Sequence, residues 1–236
     1  MTTIRIASNN IWNCDHNLPA WEALGEDCSA ATRMQGIARV YDELRPDIVG
    51  LQEASHTMLD CLMTELHRRS LPYALSWARF TSILYRADVF ELIDSTYLPY
   101  PEAVEGFEGS FNDVQSKSLG IAVLRHKADG HVLVIGNTHL WWKSDDPTSK
   151  NYQRGSAAAR AYQIHLAIER LTAYQQKHGA ALSLLMGDLN DNYHSRAVQT
   201  AISCGYLHAH DIATEYASPE NGYHYCFPDG HKPYIR

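Results

Sequence analysis

The sequence predicts a layered α/β domain built with both hairpins and crossovers. Helical and strand-like segments alternate over the first quarter. Strand-like segments dominate the middle, and a helix–strand–helix unit follows, an order that a purely parallel sheet would not produce. A chain of 236 residues suits one large domain or two small ones and is long enough to bury a full core. With no internal repeat, low-complexity tract or flexible linker, residues 1–236 read as a single domain.

Each element follows from local pattern. Thr3 to Ser8 alternates and is rich in isoleucine, which predicts a first strand ending at Asn9-Asn10; residues 15–30 read as a loop. From Ala30 to Leu44 the apolar positions Met34, Ile37, Tyr41 and Leu44 recur at helical spacing, and Pro46 stops that helix. A short buried strand, Asp47 to Glu53, comes next, then a helix over residues 55–69 with Met58, Leu62 and Leu66 on one face. Short strands are expected at Tyr73–Ser76, Thr81–Tyr85 and Phe90–Tyr97, with a loop from Pro99 to about Ser116 that carries Glu102, Glu105, Glu108 and Asp113. Leu119–Arg125 and Val132–Thr138 read as strands joined by the turn Lys127-Ala-Asp-Gly130. A polar and aromatic loop (141–155), a long helix (Ser156–Lys177), a buried strand in LSLLMGDLNDN (182–192) and a short helix (Ser195–Cys204) complete the pattern.

Composition bounds the function. Apolar residues at 45% and charged residues at 20% mark an ordinary globular chain. The net charge of −7 argues against a broad basic surface for nucleic acid but leaves room for a local basic cleft. No run approaches the roughly 18 apolar residues of a membrane helix, and MTTIRIASNN lacks the form of a secretory signal, so a cytoplasmic location is expected. The five cysteines form no CxxC pair and read as reduced thiols of an intracellular protein. His224 and Cys226, with His231 nearby, hint at zinc, but their spacing matches no standard site.

Four strands run into polar groups: IRIASNN into Asn10, DIVGLQE into Glu53, VLVIGNTHL into Asn137 and His139, and LLMGDLN into Asp188 and Asn190. Each has a structural reading: Gly-Asp-x-Asn is a common turn, Glu53 could cap the next helix, and a lone histidine is often a hydrogen-bonded core residue. Together they suggest strand ends converging on one edge, where ligands bind in α/β folds.

The pieces SNNIWN, RPDIVGLQE, NTHLWW and MGDLN, in this order, resemble the endonuclease/exonuclease/phosphatase superfamily of metal-dependent phosphohydrolases. The helix with Arg160 and Gln163 is similar to the one that precedes the GDxN strand in that group. The resemblance implies a four-layer α-β-β-α sandwich of two packed mixed sheets. It also implies hydrolysis of phosphate mono- or diesters by in-line attack of water on a metal-bound phosphate. On the same basis Glu53 is the principal metal ligand, with Asn10 helping to hold the metal or the phosphate. Asp188 orients or activates water, Asn190 fixes this geometry, and His139 donates to a phosphate oxygen, so its protonation would matter near neutral pH. Mg²⁺ is the implied cofactor, with Mn²⁺ or Ca²⁺ as alternatives.

The family's later Ile-Asp strand and its final Ser/Thr-Asp-His motif are not found after Asn192, so the family's C-terminal strands are expected to be missing from this chain. His208, His210-Asp211 and His224 do not fit that motif, and His210-Asp211 is expected in the segment leading out of the last helix. For substrate contact the loop from Trp141 to Arg160 stands out, with Trp141, Lys143, Arg154 and Arg160 as the candidates. Aromatic rings can stack on bases or sugars and cations can pair with phosphate; a solvated loop with structural aromatics is the rival reading. The substrate is then a phosphorylated small molecule, with a nucleic acid as the alternative. A catalytically impaired metal- or phosphate-binding module is the alternative from another class.

Overall fold

The computed structural model describes residues 3–215. In chain order the elements are β1 (Ile6–Asn10), α1 (Pro19–Glu22), α2 (Ala30–Leu44), β2 (Ile48–Gln52), α3 (His56–Arg68), β3 (Tyr73–Ser76), β4 (Ile83–Arg86), β5 (Phe90–Pro99), β6 (Ser118–His126), β7 (Val132–His139), α4 (Ser156–His178), β8 (Leu182–Asp188), α5 (Arg196–Ser203) and α6 (Ala209–Ile212). They form two four-stranded sheets, ordered β1-β2-β4-β3 and β5-β6-β7-β8. Both are mixed: β1–β2 and β7–β8 are parallel, and the other pairs are antiparallel.

Period-two alternation sorts the side chains of the strands to two faces. In β2, Val49 and Leu51 meet Met34, Ala38 and Tyr41 of α2 and Met58, Leu62 and Leu66 of α3. Ile48 points the other way and joins Ile83, Phe90, Ala122, Leu124 and Ile135 in a cluster drawn from both sheets. On the second sheet Leu119, Ile121, Val123 and Val134 pack against Ile164, Ala167, Ile168 and Leu171 of α4 and Ala197 of α5. The molecule is thus an α/β sandwich of two mixed sheets flanked by helices.

The sheets are also joined by polar groups. The Asn137 amide, fully buried, donates to the carbonyls of Leu51 (2.8 Å) and Ser82 (3.0 Å), and its oxygen accepts from Gln52 Nε2 (2.6 Å). Gly50 makes room for it, since a Cβ there would lie 2.7 Å from Asn137 Oδ1. Gly187 has a stricter duty: its φ is +147°, and a Cβ would lie 2.0 Å from the carbonyl oxygen of Thr138 on the neighbouring strand. Gly187→Ala should therefore destabilise the protein by about 2–3 kcal/mol through strain and loss of strand register. Chemical denaturation would read this as a lower midpoint.

Several boundaries differ from expectation. β1 lies at Ile6–Asn10, because its parallel pairing with β2 runs from Ile6↔Ile48 to Asn10↔Gln52 and carries Asn10 to the end of the strand. The loop at 15–30 contains the single-turn α1. The segment from Thr81 begins as a 3₁₀ turn (Arg79–Thr81) before β4. His210-Asp211 lies in the segment leading out of α5, as expected, within a further one-turn helix, α6. No helix among the described residues is long and apolar enough to cross a membrane. His224, Cys226 and His231 lie outside the described residues.

Candidate active site

Two parallel strand pairs, one in each sheet, deliver their C-terminal ends to the same edge of the sandwich. The last paired residues are Asn10↔Gln52 and His139↔Asp188, and Glu53 follows β2 directly. The carboxylates of Glu53 and Asp188 converge on one donor: Asn10 Nδ2 lies 3.0 Å from Glu53 Oε1 and 2.8 Å from Asp188 Oδ2. His139 Nε2 stands 3.9 Å from each of the same two oxygens.

The surrounding chain fixes these groups. Trp12 N–H donates to Asn10 Oδ1 (2.9 Å), which turns the amide nitrogen toward the carboxylates, and Asn13 N–H donates to Glu53 Oε2 (2.9 Å). Arg33 of α2 holds the 11–14 turn by donating to the carbonyls of Ile11, Trp12 and Cys14, with its guanidinium 4.9 Å from the Trp12 ring centre. Asp188 Oδ1 accepts from the Asn190 backbone N–H (2.9 Å), and the Asn190 side chain donates to the Leu140 carbonyl (3.0 Å). Glu53 and Asn190 both adopt left-handed backbone, with φ of 61° and 49°. For a glutamate this costs about 1–2 kcal/mol, a local strain of the kind that collects where side chains must be aimed.

One group at the centre carries no local sequence signal. Lys117 precedes the apolar run of β6 and is only 5% exposed, with Nζ 2.8 Å from His139 Nε2. Asn112 seats it, accepting from Lys117 N–H (2.9 Å) and donating to the carbonyls of Lys117 (2.9 Å) and Tyr100 (2.7 Å). A lysine at the start of a strand normally extends its stem and reaches water, so neither spacing nor neighbours distinguish this one. Burial lowers its pKa to about 8, opposed by the nearby Glu53, Asp188 and Asp113 carboxylates. Burial, with Lys117 adding to it, lowers that of His139 to about 4. At neutral pH, then, the ammonium donates to a neutral imidazole, and the His139 protonation expected near neutrality moves well below it.

A cleft of about 360 Å³ opens onto this group, lined among others by Asn13, Glu53, Lys117, His139, Trp142 and Asn190. A larger hollow beside α2, of about 470 Å³, gathers Asn9 and Arg33 with Ile37, Val40 and Tyr41 but brings no carboxylates together. The four residues expected to contact substrate do not line the cleft. Trp141 is buried edge-on against Phe111 (6.0 Å). Arg160 is buried and bound to Asp191 Oδ2 (2.7 Å) and to the carbonyls of Trp141 and Lys143. Lys143 lies over the rings of Trp141 and Trp142, and Arg154 is exposed on the loop. Trp142 is the member of this loop that reaches the cleft, held by Nε1–H donation to Asp113 (2.9 Å). Asn137, grouped with the strand-end candidates, serves the sheet–sheet contact and not the cleft.

The donor set at the strand ends is two carboxylates and two carboxamides, the hard-oxygen chemistry that suits Mg²⁺. Glu53 and Asp188 fit such an ion best, because Asn10 presents its nitrogen to them and its oxygen to Trp12. A second group, His208, His210 and Asp211, brings three ligand atoms within 4.8 Å of one another and could coordinate a metal.

Convergent carboxylates on the edge of a two-sheet α/β sandwich are an arrangement suited to hydrolytic enzymes of the phosphoesterase and nuclease type. The chain belongs to the endonuclease/exonuclease/phosphatase family, whose sequence model matches residues 11–234. Among solved structures it is similar to an endonuclease/exonuclease/phosphatase family protein from Bacteroides thetaiotaomicron (20% identity, TM-score 0.65, covering 86% of this chain and 70% of that one). It is also similar to a mannosyl-6-phosphatase from the same organism (19%, 0.64, 86% and 71%). The human Nocturnin catalytic domain with bound sulfate is a third (18%, 0.60, 85% and 69%). At these identities the likeness is one of fold. No curated protein matches the sequence.

Proposed function

We propose that the protein is a Mg²⁺-dependent hydrolase of small phosphate esters, built on a single four-layer α-β-β-α domain. The observation that carries this reading is the sharing of the Asn10 amide by Glu53 and Asp188, carboxylates from different sheets, beside a buried lysine. Such a group has no structural need to exist at a sheet edge. Glu53 and Asp188 would hold the ion, which when bound neutralises charge on the phosphate oxygens. Asp188 also orients the attacking water and receives its proton, held in place by the Asn190 N–H. The Lys117 ammonium pairs with a phosphoryl oxygen. Once Lys117 turns to the phosphate, the His139 ring, shifting to its Nε2–H tautomer, can donate to the same group.

The rim favours a small ester over a nucleic acid. Trp142 supplies one aromatic face, suited to a sugar or a base, beside Asp113 of the cleft lining. The chain's net charge of −7 works against an extended polyanion, and Arg160 is committed elsewhere. The mannosyl-6-phosphatase of similar fold supports a sugar phosphate as the first substrate to try. Parallel assays of sugar phosphates, bis(p-nitrophenyl) phosphate and single-stranded and duplex DNA, with Mg²⁺ and with chelator, test the proposal. The expected result is Mg²⁺-dependent turnover of a small ester that changes little between low and moderate salt. Turnover confined to DNA, falling steeply with salt as counterion release requires, would give the function to a nuclease.

A further inference from the structure

We propose that His208, His210 and Asp211 form a second metal site, for a zinc-class ion, that fastens the segment after α5 to the loop after β8. One ligand atom from each of the three residues lies within 4.8 Å of the others, and His210 Nδ1 is already 3.8 Å from Asp211 Oδ1. In a tetrahedral site with bonds of about 2.0–2.2 Å, neighbouring ligand atoms stand roughly 3.3–3.5 Å apart. Closure thus needs side-chain rotations and no movement of a strand.

The two histidines are pre-arranged by one ring. Tyr193 meets His208 edge-on at 4.6 Å, His210 at 5.2 Å and His194 at 4.8 Å, with interplanar angles of 87°, 81° and 84°. Such packing fixes the planes of the two ligand imidazoles, which lie 6.2 Å apart centre to centre. His208 Nδ1 is buried without a hydrogen-bond partner. A buried ring nitrogen left in this state is costly, and an ion is one of the few groups that would satisfy it.

The donor set identifies the ion. Two imidazole nitrogens, borderline ligands, beside one carboxylate oxygen select Zn²⁺ or Co²⁺ over Mg²⁺. None of the three residues lines the cleft, whose carboxylates and carboxamides are hard donors. Because Tyr193 lies three residues beyond Asn190, an ion held against it ties the 204–212 segment to the loop that positions Asp188. The ion's role is to hold this junction, and it takes no part in the hydrolysis.

The test is calorimetric titration of the full chain with ZnCl₂ after chelation and in saturating Mg²⁺. Visible spectroscopy of the Co²⁺-loaded protein gives a second readout. One Zn²⁺ per chain is expected, with a rise in Tm on loading and the intense d–d bands of low-coordinate Co²⁺. Asp211→Asn, at a side chain half exposed and so tolerant of change, should weaken Zn²⁺ binding at least tenfold. His208→Ala/His210→Ala should weaken it at least a hundredfold and remove the Co²⁺ bands. Glu53→Gln should leave both intact. The proposal is overturned if no Zn²⁺ binds, if affinity survives in both the Asp211 and the double-histidine variants, or if Glu53→Gln abolishes it.

Discussion

Replacing Asp188 by asparagine should lower kcat by about 10³–10⁴-fold while leaving KM within a few-fold of its original value. The lower figure approaches the usual worth of a positioned general base, and loss of an ion-binding carboxylate adds to it. The change is nearly isosteric. A carboxamide can still accept from the Asn190 N–H, so the turn after β8 should survive. Its nitrogen then faces Asn10 Nδ2, donor against donor, and Asn10 must turn away from a contact it now makes at 2.8 Å. Tm should move by only a few degrees, because Asp188 and Asn10 lie at the open edge of the sandwich and not in its core. Loss of activity with an intact melting transition therefore separates chemistry from folding. A kcat within threefold of the unaltered enzyme would remove Asp188 from the reaction and, with it, the proposed use of the cleft.

The residues that could be placed from sequence are those whose role is written in local order. Met34 and Tyr41 are buried on α2 as their spacing predicts, and the bounds Ala30–Leu44 agree. Yet Leu44, from the same periodic set, is 63% exposed. Asn10, Glu53, His139 and Asp188 were legible as ends of apolar runs, and parallel pairing brings those ends together. Asn137 shows the same local grammar but lies two residues earlier on β7, where an inward side chain meets the other sheet. Trp141 and Arg160 look like surface recognition residues in a polar stretch. Which side of the loop faces inward depends on Phe111 and Asp191, 30 and 31 residues away in sequence, and no local pattern reports that. Lys117 depends in the same way on Asn112 and on a histidine from the next strand. The site described is the one built by β1, β2, β7 and β8 with their adjoining loops.

Lys117→Met should lower activity and raise stability together. Removing a donor aimed at charge that develops in the transition state costs about 10²–10³-fold in kcat. On the stability side, the fall of the Lys117 pKa from 10.5 to about 8 means that folding disfavours its ammonium form. At 1.36 kcal/mol per pH unit the penalty is about 3 kcal/mol. Methionine fills a similar volume without that charge, while losing the hydrogen bond to His139; the attraction of Glu53 and Asp188 is already contained in the lowered pKa. A net gain of about 2 kcal/mol, or roughly 4–8 °C in Tm, is the expected result at pH 7 in chelator. The pH dependence identifies the cause. Between pH 8 and 10.5 the unfolded chain still holds the lysine proton and the folded protein has released it, so the unaltered protein gains stability as pH rises through this window. Denaturant titrations at pH 7.5 and pH 10 should therefore show the advantage of Lys117→Met shrinking toward zero or reversing. An advantage that is equal at both values would trace the gain to packing. No gain at either pH would mean that the carboxylates around Lys117 fully offset its burial, leaving the lysine as a structural counter-charge and not a group held under strain for catalysis.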